Sequence, residues 1–200
     1  MKKNIFTGCL LIVILGLVLI YHFKDRNLND YEKEELDKEC IAIEDDEIER
    51  LNDYLSIFAR VEQQSFEQNN VSDVNLITFG LFYNLWYNDK VDRYVTDELV
   101  SETSLNFFGK SIGKHQSIDE LVDYADNKYD ISEIQMPESF GLYSEVDNIL
   151  NNGDGIYTIY STNYIEYIYD DSIHIKSYNR SIIKKVEEKY ILLEYINYDK

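Results

Sequence analysis

Along the chain the apolar residues first run together, then recur every three or four positions, and finally alternate. The continuous run, IFTGCLLIVILGLVLIYHF, occupies residues 5–23 and contains no Asp, Glu, Lys or Arg. At a helical rise of about 1.5 Å it covers roughly 28 Å, close to the roughly 30 Å of a bilayer's hydrocarbon core, so the pattern predicts a transmembrane signal-anchor. Tyr21, His22, Phe23 and Lys24 are too bulky for a cleavage site. With Lys2, Lys3 and the free amine retained inside, residues 1–4 form a cytoplasmic tip and everything after the anchor is exported, giving a single-pass cell-membrane protein with its C-terminal domain outside. Cys9 does not suit a lipidation signal, because the apolar stretch follows it instead of preceding it. Residues 24–40, KDRNLNDYEKEELDKEC, hold only Leu28 and Leu36 as large aliphatics and form a polar stalk. Cys40 closes the stalk, either as a free thiol or as a cross-link between copies.

From residue 41 the period becomes helical. Ile48, Leu51, Leu55, Phe58 and Ala59 fall on one face, and Glu44, Asp45, Asp46 and Glu47 suit the positive end of that helix. Ser72 or Asp73 starts a second helix through Val74, Ile77, Leu81 and Leu85. Phe79, Phe82, Tyr83 and Trp86 widen its apolar face enough to place it at the centre of the fold. Thr96 caps a third helix that Gly109 stops, and the Ser117 to Glu120 capping box opens a short fourth one before Leu121, Val122 and Tyr124. After Asp130 the texture alternates. Asn151-Asn152-Gly153-Asp154-Gly155 is a turn feeding Ile156–Tyr160, Tyr164–Tyr169 and Ser172–Tyr178 read as strands, and YILLEYI at 190–196 reads as another. Residues 181–189 fit a strand or an amphipathic helix. The expectation is one acidic exported α+β domain over 41–200, with about four helices in a helical half (41–130) and a meandering antiparallel sheet of four to six strands in a sheet half (131–200).

Charge narrows the function. There are 38 acidic against 19 basic side chains, a net charge of -19, and such a field repels phosphate backbones, so no nucleic-acid partner is expected. Two cysteines, three histidines and one proline leave no disulfide scaffold and no zinc site. The carboxylate cluster at 44–47 lacks the spaced oxygen ligands of a calcium loop, and GKSIGK at 109–114 lacks the leading glycines of a phosphate loop, so no metal or cofactor is expected.

Chemistry-bearing residues are few. His174 shares an outward strand phase with Glu166 and pairs with it as a base and its orienting carboxylate. Glu138, Glu145, Glu166 and Asp171 supply carboxylates for glycoside hydrolysis, which needs two of them across a cleft. His115 reads as an exposed loop residue. Of 18 tyrosines only Tyr21 precedes residue 24. Tyr83, Trp86, Tyr87, Tyr157 and Tyr167 are the candidate stacking residues of a binding surface, against the plainer reading of core packing. The sequence favours a membrane-anchored envelope protein that binds a protein partner or its own copy without catalysis. The alternative is a small exported hydrolase using paired carboxylates or the Glu166–His174 pair.

Overall fold

The computed structural model describes residues 45–199, apart from 62, 64, 90, 120 and 135–138. Helix α1 (Asp45–Arg60) begins with three carboxylates in its first turn and buries Leu51, Leu55, Phe58 and Ala59, the face its three-and-four spacing defines. A short strand β1 (Phe66–Glu67) follows, then α2 (Asp73–Tyr87), where the Ser72 hydroxyl accepts from the Asn75 N–H. Strand β2 (Tyr94–Thr96) runs straight into α3 (Asp97–Phe108), with Thr96 accepting from the Leu99 N–H. Gly109 ends α3 at φ 61°, the left-handed region open to glycine. Strands β3 (Asp123–Ala125) and β4 (Lys128–Asp130) form a tight hairpin, and β5 (Phe140–Gly153), β6 (Ile156–Tyr167), β7 (Ser172–Val186) and β8 (Lys189–Asp199) form a long meander.

The strands make two antiparallel sheets, one of five in the order β1-β8-β7-β6-β5 and one of three in the order β2-β4-β3. Each has its own apolar core. Phe58, Phe79, Phe108, Ile159, Ile183, Leu192 and Tyr195 fill the space between the helices and the large sheet. Ile77, Leu81, Val95, Val100, Val122, Tyr129 and Ile131 fill that around the small one. Helix α2 contributes to both, Phe79 to the first and Ile77 and Leu81 to the second, which is why its sequence is apolar nearly all round. Gly80 lets α2 and α3 approach closely: a Cβ there would lie 2.9 Å from Val100 Cγ1 and 3.2 Å from its Cα.

The free edge of β5 is covered from α1. The Val146 N–H donates to Asn52 Oδ1 (2.8 Å), the Ser144 N–H to Ser56 Oγ (2.9 Å), and Arg60 Nε–H donates to the Leu142 carbonyl (3.1 Å). Four helical residues rise about 6 Å and two strand residues about 6.7 Å. Residues 52, 56 and 60 therefore keep step with 146, 144 and 142, and an edge that would otherwise invite pairing is closed. Beneath α1 the inner face of the sheet is polar. Ser144 bonds the Asn163 amide oxygen, and the Asn163 amide N–H donates to Ser177 Oγ (3.1 Å) and Tyr195 Oη (3.2 Å). Asn179 donates to Asn163 (3.0 Å) and accepts from Ser161 (2.6 Å). These groups are buried and satisfy one another, as burial requires.

Several expectations are corrected. Among the described residues no helix is long and apolar enough to cross a membrane. The apolar stretch 5–23, its cytoplasmic tip and the stalk 24–40 lie outside the described residues. The signal-anchor, the single-pass topology with an exported domain and the membrane partner are accordingly set aside. The described residues hold three helices, not four. Ser117 caps no helix: its hydroxyl accepts from the Tyr124 N–H (2.9 Å), Ile118 and Val122 bridge as strands do, and Asp119 takes φ 48°. The single meander becomes two sheets, because Asp126 and Asn127 adopt φ 50° and 60° and turn β3 back onto β4, while β1 joins β8 from within the helical half. Residues 181–186 are strand, the end of β7.

Candidate functional site

The small sheet and α3 bring together five side chains that carry chemistry. Asp97 and Ser101, four apart, share one face of α3. Tyr124 and Tyr129 are cross-strand partners on β3 and β4, their rings 4.7 Å apart. His115 comes from the loop between α3 and β3 and lies between these two surfaces. Its Nε2 is 2.9 Å from Ser101 Oγ and its Nδ1 is 2.7 Å from Tyr129 Oη. Tyr124 stacks on the imidazole at 5.7 Å between centroids and donates its hydroxyl hydrogen to Asp97 Oδ2 (2.9 Å).

The loop is strapped down just ahead of His115. Asp73, the first residue of α2, accepts from the Gly113 N–H (3.0 Å) and the Lys114 N–H (2.8 Å), and Ser104 Oγ donates to the Lys110 carbonyl (2.7 Å). The imidazole position is thus fixed by backbone as well as by its own bonds. Tyr129 is fully buried, and that burial pushes its phenol pKa up, with the charge of Tyr124 adding to it, against the lowering effect of the Gln116 backbone N–H. It stays a neutral phenol across the physiological range. Tyr124 is raised as well, chiefly because its hydroxyl donates to Asp97 and a phenolate would lose that bond. Ser101 and His115 are half-buried, so water reaches the pair.

Chemically the chain Ser101–His115–Tyr129 is a hydroxyl, a base and a group that orients the base. When Nδ1–H donates to the phenol oxygen, Nε2 is left as an acceptor for the serine proton. The opposite tautomer has Tyr129 donating to Nδ1 and Nε2–H donating to Ser101, which leaves the serine unactivated.

The Glu166–His174 pair is not assembled. Glu166 lies opposite Ile173 and His174 opposite Ile165, and since opposed residues share a face, Glu166 and His174 project from opposite faces of the sheet. His174 instead meets Tyr167 edge-on at 5.9 Å. Among the other carboxylates, Glu145 and Glu166 both lie on the face away from the helices, Asp171 is in the β6–β7 turn at φ 52°, and Glu138 lies outside the described residues. The candidate stacking residues are dispersed. Tyr83 and Tyr87 form a column with Phe79 along α2, where Tyr83 packs against Phe107. Arg60 donates to Tyr87 Oη (3.0 Å). Trp86 is half-buried, Tyr157 packs against the larger core, and Tyr167 sits between Phe140 and Tyr169 at the far end of the sheet.

His115 was readable only as a loop residue, because its partners lie 14 positions away on each side. The available signal was Asp126-Asn127 between Tyr124 and Lys128, a left-handed-tolerant pair that turns a strand back and so delivers Tyr129 to the imidazole. Among the described residues no group of three or more His, Cys, Asp or Glu side chains is arranged to hold a metal ion. No protein family, no curated protein and no solved structure matches the chain. No helix among the described residues supports the reading of a membrane-anchored assembly module.

Proposed function

We propose that the domain is a small serine hydrolase in which Ser101 is the nucleophile, His115 the general base and Tyr129 the residue that orients the base. The observation that carries the reading is the continuous chain from Ser101 Oγ through both imidazole nitrogens to Tyr129 Oη, at 2.9 and 2.7 Å. In acyl transfer Ser101 Oγ attacks the carbonyl carbon while its proton passes to Nε2. His115 then returns that proton to the departing alcohol as the carbonyl–alcohol bond breaks. Water attacks the acyl-serine by the same route, its proton passing to Nε2 and back to Ser101 as the acid leaves. A neutral phenol stabilises the transient imidazolium less than a carboxylate does, so turnover is slow relative to enzymes with an Asp in that place. The net charge of -19 disfavours anionic substrates, leaving neutral or cationic acyl esters.

A second reading is favoured by the Asp73 strap. The bonds from Asp73 to Gly113 and Lys114 make His115 one more tie of a structural clamp holding the loop to α3 and β4. A neutral fluorophosphonate separates the two. Under the hydrolase reading the full-length chain forms a Ser101 Oγ–phosphorus bond and releases fluoride, peptide mapping places the mass gain on Ser101, and both Ser101→Ala and His115→Gln abolish it. A folded wild-type chain that takes no label, or takes it elsewhere, leaves the clamp.

A further inference from the structure

The hairpin that joins β5 to β6 carries a reactive dipeptide that the site around His115 does not use. Asn152-Gly153 is the only Asn-Gly pair in the chain, and both residues are exposed. Asp154 and Gly155, at φ 53° and 73°, make the two-residue turn itself, so the pair stands just before it, at a break in register between Asn151 and Gly153. There the Gly153 N–H donates to Asn151 Oδ1 (2.8 Å), and the Asn152 side-chain amide donates to Thr158 Oγ1 (2.8 Å). Gly153 holds φ 85°, and beyond its chain neighbours no heavy atom lies within 4 Å of where a Cβ would stand.

We propose that Asn152 is a site of spontaneous deamidation and that the folded hairpin restrains the reaction through those two hydrogen bonds. Hydroxide takes the Gly153 amide proton, and the nitrogen attacks Asn152 Cγ. The Cγ–Nδ2 bond breaks and ammonia departs with a proton drawn from water, leaving a five-membered imide. Water then opens the ring at either carbonyl. The products are aspartate at position 152 and its isoaspartyl isomer, whose main chain runs through Cβ and Cγ. Glycine favours the attack because it has no side chain to shield its nitrogen and its backbone turns freely. The exposed Asn70, Asn106 and Asn127 are followed by Val71, Phe107 and Lys128, whose side chains crowd the same approach. In the native hairpin one bond occupies the proton that must leave, and the other anchors the amide that must swing over the Gly153 nitrogen. Either product loses the amide donor to Thr158, and the isoaspartyl form adds a carbon to the main chain of β5 where the register already breaks. Asp154-Gly155 is a slower competitor, since ring closure there must expel hydroxide from a carboxylate, and it leaves the mass unchanged.

The test is peptide mapping by mass spectrometry of the full-length chain, incubated at mildly alkaline pH in buffer and in guanidinium chloride, with folding in buffer verified by circular dichroism. In denaturant Asn152 converts ahead of every other Asn. In buffer the wild type converts there roughly twentyfold more slowly, two bonds acting together. Thr158→Val and Asn151→Ala each speed the reaction of the folded chain roughly fivefold, the population change that one net hydrogen bond represents. Thr158→Ser keeps the accepting hydroxyl and stays slow, and none of the three variants changes the rate in denaturant. Conversion that begins at another Asn in denaturant overturns the proposal. So does a wild type that converts equally fast folded and unfolded, or a folded Thr158→Val that converts no faster than wild type.

Discussion

Replacing Ser56 by Ala removes one oxygen from the side of α1 that covers the edge of β5. That oxygen accepts from the Ser144 N–H at 2.9 Å and donates to the Asn52 carbonyl at 2.6 Å. Ser144 is 2% exposed, so its N–H finds no water when the acceptor goes. A buried donor left unpaired costs about 1–3 kcal/mol. At roughly 2–4 °C per kcal/mol for a domain of this size, the melting temperature falls by roughly 2 to 12 °C. The same change at Ser111, which is exposed, stays within about 0.5 kcal/mol. Calorimetry or urea titration gives the size of the loss, and amide hydrogen exchange gives its place: Ser144 exchanges faster in Ser56→Ala while the amides of β7 keep their relative order. Unchanged stability together with unchanged protection at Ser144 would refute the argument that α1 closes this edge through side-chain bonds.

Three further outcomes follow from the geometry. Burial alone would raise the Glu47 carboxyl, but bonds from Lys185 Nζ (2.6 Å) and Tyr190 Oη (2.5 Å) outweigh it, and the nearby charges of Lys185 and Arg50 help hold its pKa below the ordinary 4.5. A carboxyl depressed on folding contributes stability above its unfolded pKa and loses it as pH falls through the folded one. Glu47→Gln should therefore cost about 1–3 kcal/mol at neutral pH and progressively less below about pH 4.5, read as the difference in urea midpoints. Gly80→Ala should destabilise by about 1–3 kcal/mol through the clash with Val100 Cγ1, with partial recovery in the Val100→Ala background, since the contact to Val100 Cα remains. Gly109→Ala places a side chain at φ 61° and should cost about 1 kcal/mol by thermal melting.

The helices were legible where their ends are made by local chemistry. Ser72, Thr96 and Gly109 act on neighbours within four residues, so the window that reads them is also the window in which they work. The Ser117 to Glu120 spacing misled for the same reason: the partner the Ser117 hydroxyl takes is the Tyr124 N–H, seven residues on, which closes a turn instead of opening a helix. Strand phase along β6 and β7 was legible within each strand, but the faces of Glu166 and His174 depend on which residues stand opposite, and the register shift at Asn163/Tyr164 is not encoded in the alternation. The site around His115 was hidden because α3, the strapped loop and the β3–β4 hairpin meet there through contacts 14 to 41 residues apart.

The proton position on the His115 ring decides between an activated serine and a structural tie. Nitrogen-15 chemical shifts of the two ring nitrogens, recorded at a pH where the imidazole is neutral, report it directly. The hydrolase account predicts the proton on Nδ1, with Nε2 bare and accepting from Ser101. A proton found on Nε2, with the serine oxygen as its acceptor, would contradict it.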